Sequence, residues 1–284
     1  MDAIKTKSVS RACLILVLTG FVLLFQASGL LAAEKARLME RWLVNDPLST
    51  RQVDHTLWAE ILQGYVVETP DGRNAFDYAA VSGADREKLD AYIEQLQHTD
   101  VDRLSRQEQL AFWANAFNAL AVHFVLEEYP VKSINDIGGG FFSSGPWNER
   151  VFRVYSIELS LNDIYHRILR PIWQDARVHY VLACAAKGCA DIVAYPYTGP
   201  AMDRAMEVAA MNFINQGPAV IDTRQGSLRV SSIFDWYEDD FGSTDEMIIS
   251  HLREFADDEL ADRLAGMSRV SGHGFDWTLN DAGR

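Results

Sequence analysis

An α+β class is the expectation from three observations. The chain from Glu34 to Leu126 keeps a helical period in its apolar residues, short alternating or apolar runs appear only after residue 150, and helices and hairpins are then mixed. A doubly wound parallel sheet would instead alternate strand and helix from the start. The form expected is an N-terminal helical part followed by a small mixed or antiparallel sheet packed with helices.

The first residues concern destination rather than fold. Lys5, Lys7 and Arg11 make a positive segment, Ala12 to Phe25 is apolar without a charge, and small residues follow to Ala33. That is the shape of a secretory signal peptide over 1–33, with cleavage expected after Ala32 or Ala33. Left uncut, 12–33 is also long enough to span a bilayer, which needs about 20 residues. Either way, residues 34–284 are expected as a single exported domain. The expected place is the bacterial periplasm, with the extracellular medium or an inner-membrane anchor as alternatives.

Charge excludes some partners. The chain carries −14, and residues 1–33 carry +2 (Lys5, Lys7 and Arg11 against Asp2), so the remainder carries −16. A basic patch for nucleic acid or for an anionic membrane is not to be expected. Membrane contact would come only through an uncleaved leader, and a monomer is expected.

Leu57, Trp58, Ile61 and Leu62 share one helical face, and Leu89, Tyr92, Ile93 and Leu96 another, with a turn at Thr69 to Gly72. Leu110 to Leu126 is apolar all round, which marks a helix enclosed by protein. Asn115 and Asn118, three apart on it, must find partners inside, as clamps or as part of a site. The loop from Gly138 to Trp147 carries glycines and aromatics suited to a flap, and it lacks the Gly-Lys-Ser/Thr ending of a phosphate loop. Val151 to Tyr155 reads as a strand. Ser160 and Asp163 start a helix that Pro171 stops, and Val178 to Cys184 reads as an interior strand. A helix over Ala201 to Ile214, a hairpin at 219–230, a helix after Thr244 and an alternating tail (Phe275, Trp277, Leu279) complete the pass.

Taken in order, AFWANAFNALAVHFVLEEYPVKSI, LSLNDIYHRILRP, ARVHYVLACAAKGCADI, SSIFDWYEDDF and FDWTLND resemble the bacterial members of the domain-of-unknown-function 547 family, over about residues 50–281. The resemblance implies no activity, since the family is named for lacking a known one. Two positions depart from the pattern it implies: Tyr165-His166 stands where Glu-His is expected, and Cys189-Ala190 where Cys-Pro is expected.

The residues themselves allow a thiol site. Cys184 ends the expected strand and is followed by Ala185-Ala186-Lys187-Gly188, with Cys189 as the alternative nucleophile. That turn would present a nucleophile, with backbone N–H groups free for an oxyanion and Gly188 able to take a positive φ. His166 is the expected base, because it lies off the buried stripe of Leu161, Ile164, Ile168 and Leu169. His179, five residues before Cys184 on a strand, would face the other way. Asn118, Asn115 or Asp235 would orient the imidazole. By analogy with papain-like and transglutaminase-like enzymes, such a site would hydrolyse or transfer acyl groups of a small-molecule or peptide substrate. The competing reading bonds Cys184 to Cys189 and makes the chain a non-catalytic binding or scaffold module. Asp235 also has a rival role as a helix cap after Ser232. The acidic runs 238–240 and 257–259 read as solvated faces. No cofactor is expected. No metal is expected either, because C-x4-C is not a zinc spacing, although His166, His179 and Asp191 are near in sequence.

Overall fold

Small local capping devices set the helix starts in the first half of the chain. The structure is a computed structural model that describes residues 35–138, 145–223 and 227–283. The expected leader, Phe141 and Phe142 of the expected flap, and the 224–226 turn lie outside the described residues. The Ser82 side chain accepts from the Asp85 N–H to open α2 (Gly83–Gln97), and Ser105 accepts from Glu108 to open α3 (Arg106–Glu128). Before them, α1 (Thr56–Tyr65) runs into a hairpin of β1 (Val66–Glu68) and β2 (Asn74–Phe76). The turn at Thr69 to Gly72 therefore joins strands rather than helices.

The α3 helix is the axle of the larger core. Every residue from Glu108 to Leu126 except His123 is buried, as its all-round apolar character predicts. It is long and apolar enough to cross a membrane, yet its surroundings are protein. The buried Glu108 carboxylate accepts from the Val53 and Gly199 N–H groups, both at 2.8 Å. A Cβ on Gly199 would come within 2.5 Å of that carboxylate, so glycine is required there.

The second half is irregular. β3 (Phe152–Val154) and β4 (Ile157–Leu159) form a hairpin. Ser160 and Asp163 then make the expected reciprocal cap. The helix that follows is a π-helix, Asp163–Leu169, and it does not stop at Pro171: it continues as α4 (Arg170–Trp173) to Gln174, at φ 50°. The register shift is visible in the Arg170 N–H, which donates to the Tyr165 carbonyl five residues back. Pro171 has no N–H to offer, and the His166 and Arg167 carbonyls accept instead from Arg37 and Met39, both at 2.9 Å.

The expected interior strand over Val178 to Cys184 does not form. Ala176–Tyr180 is a 3-10 turn and the backbone beyond it is irregular. A ladder is not needed, because the Asn118 amide donates to the Val181 carbonyl (3.0 Å) and accepts from the Ala183 N–H (2.8 Å). One side chain thus does the work of a neighbouring strand.

After α5 (Met202–Gln216), β5 (Val220–Asp222) and β6 (Arg229–Ser231) pair antiparallel, as expected. The α6 (Ile233–Trp236), α7 (Glu238–Phe241), α8 (Asp245–Phe255) and α9 (Asp258–Leu264) helices follow, and β7 (Gly272–Gly274) returns parallel to β6. A smaller core of Phe213, Leu228, Val230, Phe234 and Leu252 lies under this part. The class is α+β, with helices predominating and sheets of only two or three strands.

Candidate functional site

Cys184 and Cys189 are bonded to each other, with Cα atoms 5.8 Å apart. In this structure neither is a thiol, which removes Cys184 as a nucleophile and Cys189 as its alternate. The turn also lacks the donors an oxyanion would need. The Lys187 N–H donates to the Thr278 carbonyl, that of Gly188 to Asp276 and that of Cys189 to Ala186, at 2.8, 2.8 and 3.0 Å. Ala185, not Gly188, takes the left-handed conformation, at φ 59°. Gly188 is needed for a different reason: a Cβ there would lie 2.8 Å from the Asp276 nitrogen and 2.9 Å from the Phe275 ring.

The loop is gripped from its other side by Arg73. That guanidinium donates to the carbonyls of Lys187 (2.7 Å) and Cys189 (3.0 Å) and pairs with Asp191 at 2.6 Å. Cys184 is 8% exposed, sealed in the larger core, while Cys189 keeps some exposure.

The histidines are elsewhere occupied. His166 does not face a cleft: the π-turn carries it inward to 4% exposure. There its Nδ1 accepts from Arg170 at 3.1 Å, and burial pushes its pKa down to about 3. His179 is not on a strand. Its Nε2 donates to Asp240 (2.9 Å) and its Nδ1 accepts from the Tyr165 hydroxyl (2.5 Å), a tautomer assigned from these partners. Burial lowers the His179 pKa. Arg170 also donates to Asp240, at 2.5 Å, and Tyr237 stacks on His179 with ring centres 4.7 Å apart. Burial alone would raise the Asp240 carboxyl, but the hydrogen bonds from His179 and Arg170 outweigh it and hold the group at about 2.

Asp240 therefore departs from the solvated face expected of the 238–240 run. Tyr165, standing where the family pattern implies a glutamate, orients His179 and not His166. Asp240, Arg170 and Tyr165 are the residues that sequence reasoning missed as a group. The available signal was Arg170 beside His166 on the helical wheel, whereas Asp240 was hidden among exposed neighbours.

Neither asparagine orients an imidazole toward sulfur. Asn118 is the backbone clamp described above. Asn115 clamps Tyr197, donating to its carbonyl (2.8 Å) and accepting from its N–H (3.0 Å), with His55 Nε2 3.3 Å from its amide. Asp235 is exposed, and the Ser232 side chain makes no capping bond.

A cavity of about 60 Å³ is lined by Arg73, Asn74, Tyr180, Asp191, Phe213 and Gln216 among others, and a wider cleft by Gln97, His98, Arg150, Arg153, Tyr155 and Glu158 among others. Neither takes lining from Cys184, His166, His179 or Asn118. Among the described residues, no group of three or more His, Cys, Asp or Glu side chains is placed to hold a metal ion.

Partly buried aromatic rings, packed against the cores on one side, border the disulfide loop. Trp277 lies 4.6 Å from Phe275, 5.9 Å from Trp236 and 6.0 Å from Trp147, centre to centre, and Trp236 lies 6.4 Å from Tyr237. All five rings keep part of their surface open.

Comparison with known proteins gives one match. A family model described as "Protein of unknown function, DUF547" matches residues 101–214, from the turn before α3 to the end of α5. This is the central part of the 50–281 span over which the resemblance was expected. No curated protein and no solved structure gives a significant match.

Proposed function

We propose that this chain, whose residues 101–214 match the model of the DUF547 family, a family whose name assigns no reaction, is an exported, non-catalytic binding module stapled by the Cys184–Cys189 disulfide. The observation that carries this reading is the disulfide loop itself. Its sulfurs are bonded, its N–H groups at 187–189 are spent on the backbone, and Arg73 and the C-terminal tail hold it from two sides.

Export is part of the same reading. It is supported by the positive segment and apolar run over 1–33 and by a disulfide, which persists in oxidising compartments. The thiol-hydrolase alternative needs a free Cys184 beside an available ring nitrogen. His179 has both nitrogens engaged, and His166 accepts from Arg170. The Tyr165–His179–Asp240 chain has the order of a proton relay; its central ring is buried, Tyr237 stacks on it and Arg170 pairs with Asp240, and in this reading the chain braces three segments.

The test is a thiol count on protein purified from its native compartment, denatured with and without reductant and labelled with a maleimide. Two labels only after reduction, and an N-terminus near residue 33, are expected. Rapid labelling of Cys184 in the native, unreduced protein would overturn the reading in favour of the thiol enzyme.

A further inference from the structure

We infer that the aromatic strip formed by Trp147, Trp236, Tyr237, Phe275 and Trp277 binds an extended, proline-bearing peptide with basic flanks; this rests on the binding-module reading. The first ground is hydrogen bonding. The Trp147 indole donates to Asn135 at 2.8 Å, and the Trp42 indole, although without an acceptor, is buried beyond the reach of a ligand. The indole N–H groups of Trp236 and Trp277 likewise have no acceptor among the described residues, but they are not buried. Donors set among part-open rings suit a ligand that offers carbonyl oxygens between apolar rings, and a polyproline II segment does this with little ordering cost.

The second ground is charge complementarity. Asp235 precedes Trp236, Glu238 and Asp239 follow Tyr237, and Asp276 stands between Phe275 and Trp277; all four are exposed. Against them stand Lys187 on the disulfide loop and Arg170, which lies 4.5 Å over the Tyr237 ring but is paired with Asp240, in a chain that carries −16 beyond residue 33. A polyanion would be repelled. A bare ammonium ligand would stack on the rings but leave both indole donors without an acceptor. A peptide with Arg or Lys flanks answers both the donors and the carboxylates.

The third ground is rigidity. Gly188 touches Phe275 and Asp276, and the Lys187 and Gly188 N–H groups hold the tail that carries Trp277. The staple thus presets the strip, which lowers the ordering cost of binding.

The experiment titrates the oxidised exported protein, by tryptophan fluorescence and calorimetry, with a synthetic decaproline flanked by two arginines. The same peptide flanked by two glutamates and a hexamer of β-1,4-linked N-acetylglucosamine serve as comparisons. Binding of the arginine peptide about tenfold tighter than the glutamate peptide is expected, weakening with salt. Trp277→Ala and Trp236→Ala should each weaken it about tenfold, the scale of one lost aromatic contact, with the fold retained by circular dichroism although both rings also pack against the cores. Trp277→Phe, which keeps the ring and loses the donor, should fall between.

No peptide binding at about 1 mM, preferential binding of the sugar hexamer, or self-association abolished by Trp277→Ala would each overturn the inference. The thiol count separates the two claims. Bonded cysteines without peptide binding sink the strip alone, whereas peptide binding with a fast-labelling Cys184 sinks the non-catalytic reading and leaves the strip standing.

Discussion

His166 shows how a side chain that looks available becomes structural. A π-turn and the neighbouring Arg170 place it in the interior, where burial holds it neutral at about 3 against an ordinary value of 6.5. His55 and His251 are lowered to about 4, also chiefly by burial. On unfolding, all three return toward 6.5. Below that pH the unfolded chain therefore binds more protons than the folded one, and stability falls as pH drops from about 6.5 toward 4. Above 6.5 these groups contribute no pH dependence. Each should cost about 1.4 kcal/mol per pH unit inside the window. Urea midpoints at pH 7.5 and pH 5.0 check this: a clear fall at pH 5.0 is expected, and equal midpoints would show that the histidines are not held neutral. Tyr165 teaches the converse lesson. Its position was legible as a departure from the family pattern, but its partner, His179, depends on two segments meeting across the core.

Among the elements, the irregular segment before Cys184 depends on α3. Asn118 supplies both a donor and an acceptor to Val181 and Ala183, and Asn115 does the same for Tyr197. Replacing Asn118 by Leu leaves a buried carbonyl and a buried N–H unpaired, at about 1–3 kcal/mol each. We expect a loss of roughly 2–6 kcal/mol in urea denaturation, set by these two buried groups. A variant as stable as the parent would mean that water replaces the amide. Burial of α3 was readable from its all-round apolar residues, and so was the need of its two amides for partners. The absence of a strand over 178–184 was not readable. Apolar composition reports only that a segment is inside, while the form it takes depends on who satisfies its backbone. The π-helix was hidden for a similar reason: Pro171 signals a stop, yet Arg37 and Met39 take up the carbonyls that the proline leaves open.

Across residues 35–283, the disulfide is a small staple within a larger set of restraints. It closes a loop of sequence separation 5, for which the chain-entropy model gives about 2 kcal/mol. Reduction should therefore lower the melting temperature by about 4–8 °C for a domain of this size, without unfolding it, since Arg73 and residues 276–280 still hold the loop. Calorimetry with and without reductant checks this, and outright unfolding on reduction would show that the staple alone organises the region.

By itself the sequence determined the class, the enclosed α3 helix, the helix starts at Ser160, near Ala201 and after Thr244, the hairpin at 219–230 and the two readings of the cysteine pair. Each of those depends on residues near one another in the chain, through periodicity, capping and turn chemistry. Only the tertiary structure joined Cys184 to Cys189, gathered Tyr165, His179, Arg170 and Asp240, and laid Trp236 beside Trp277. Apart from the cysteine pair and Tyr165 with His179, these are encounters between segments tens of residues apart, and backbone and side-chain satisfaction in the packed interior, not local propensity, selects which of them occur.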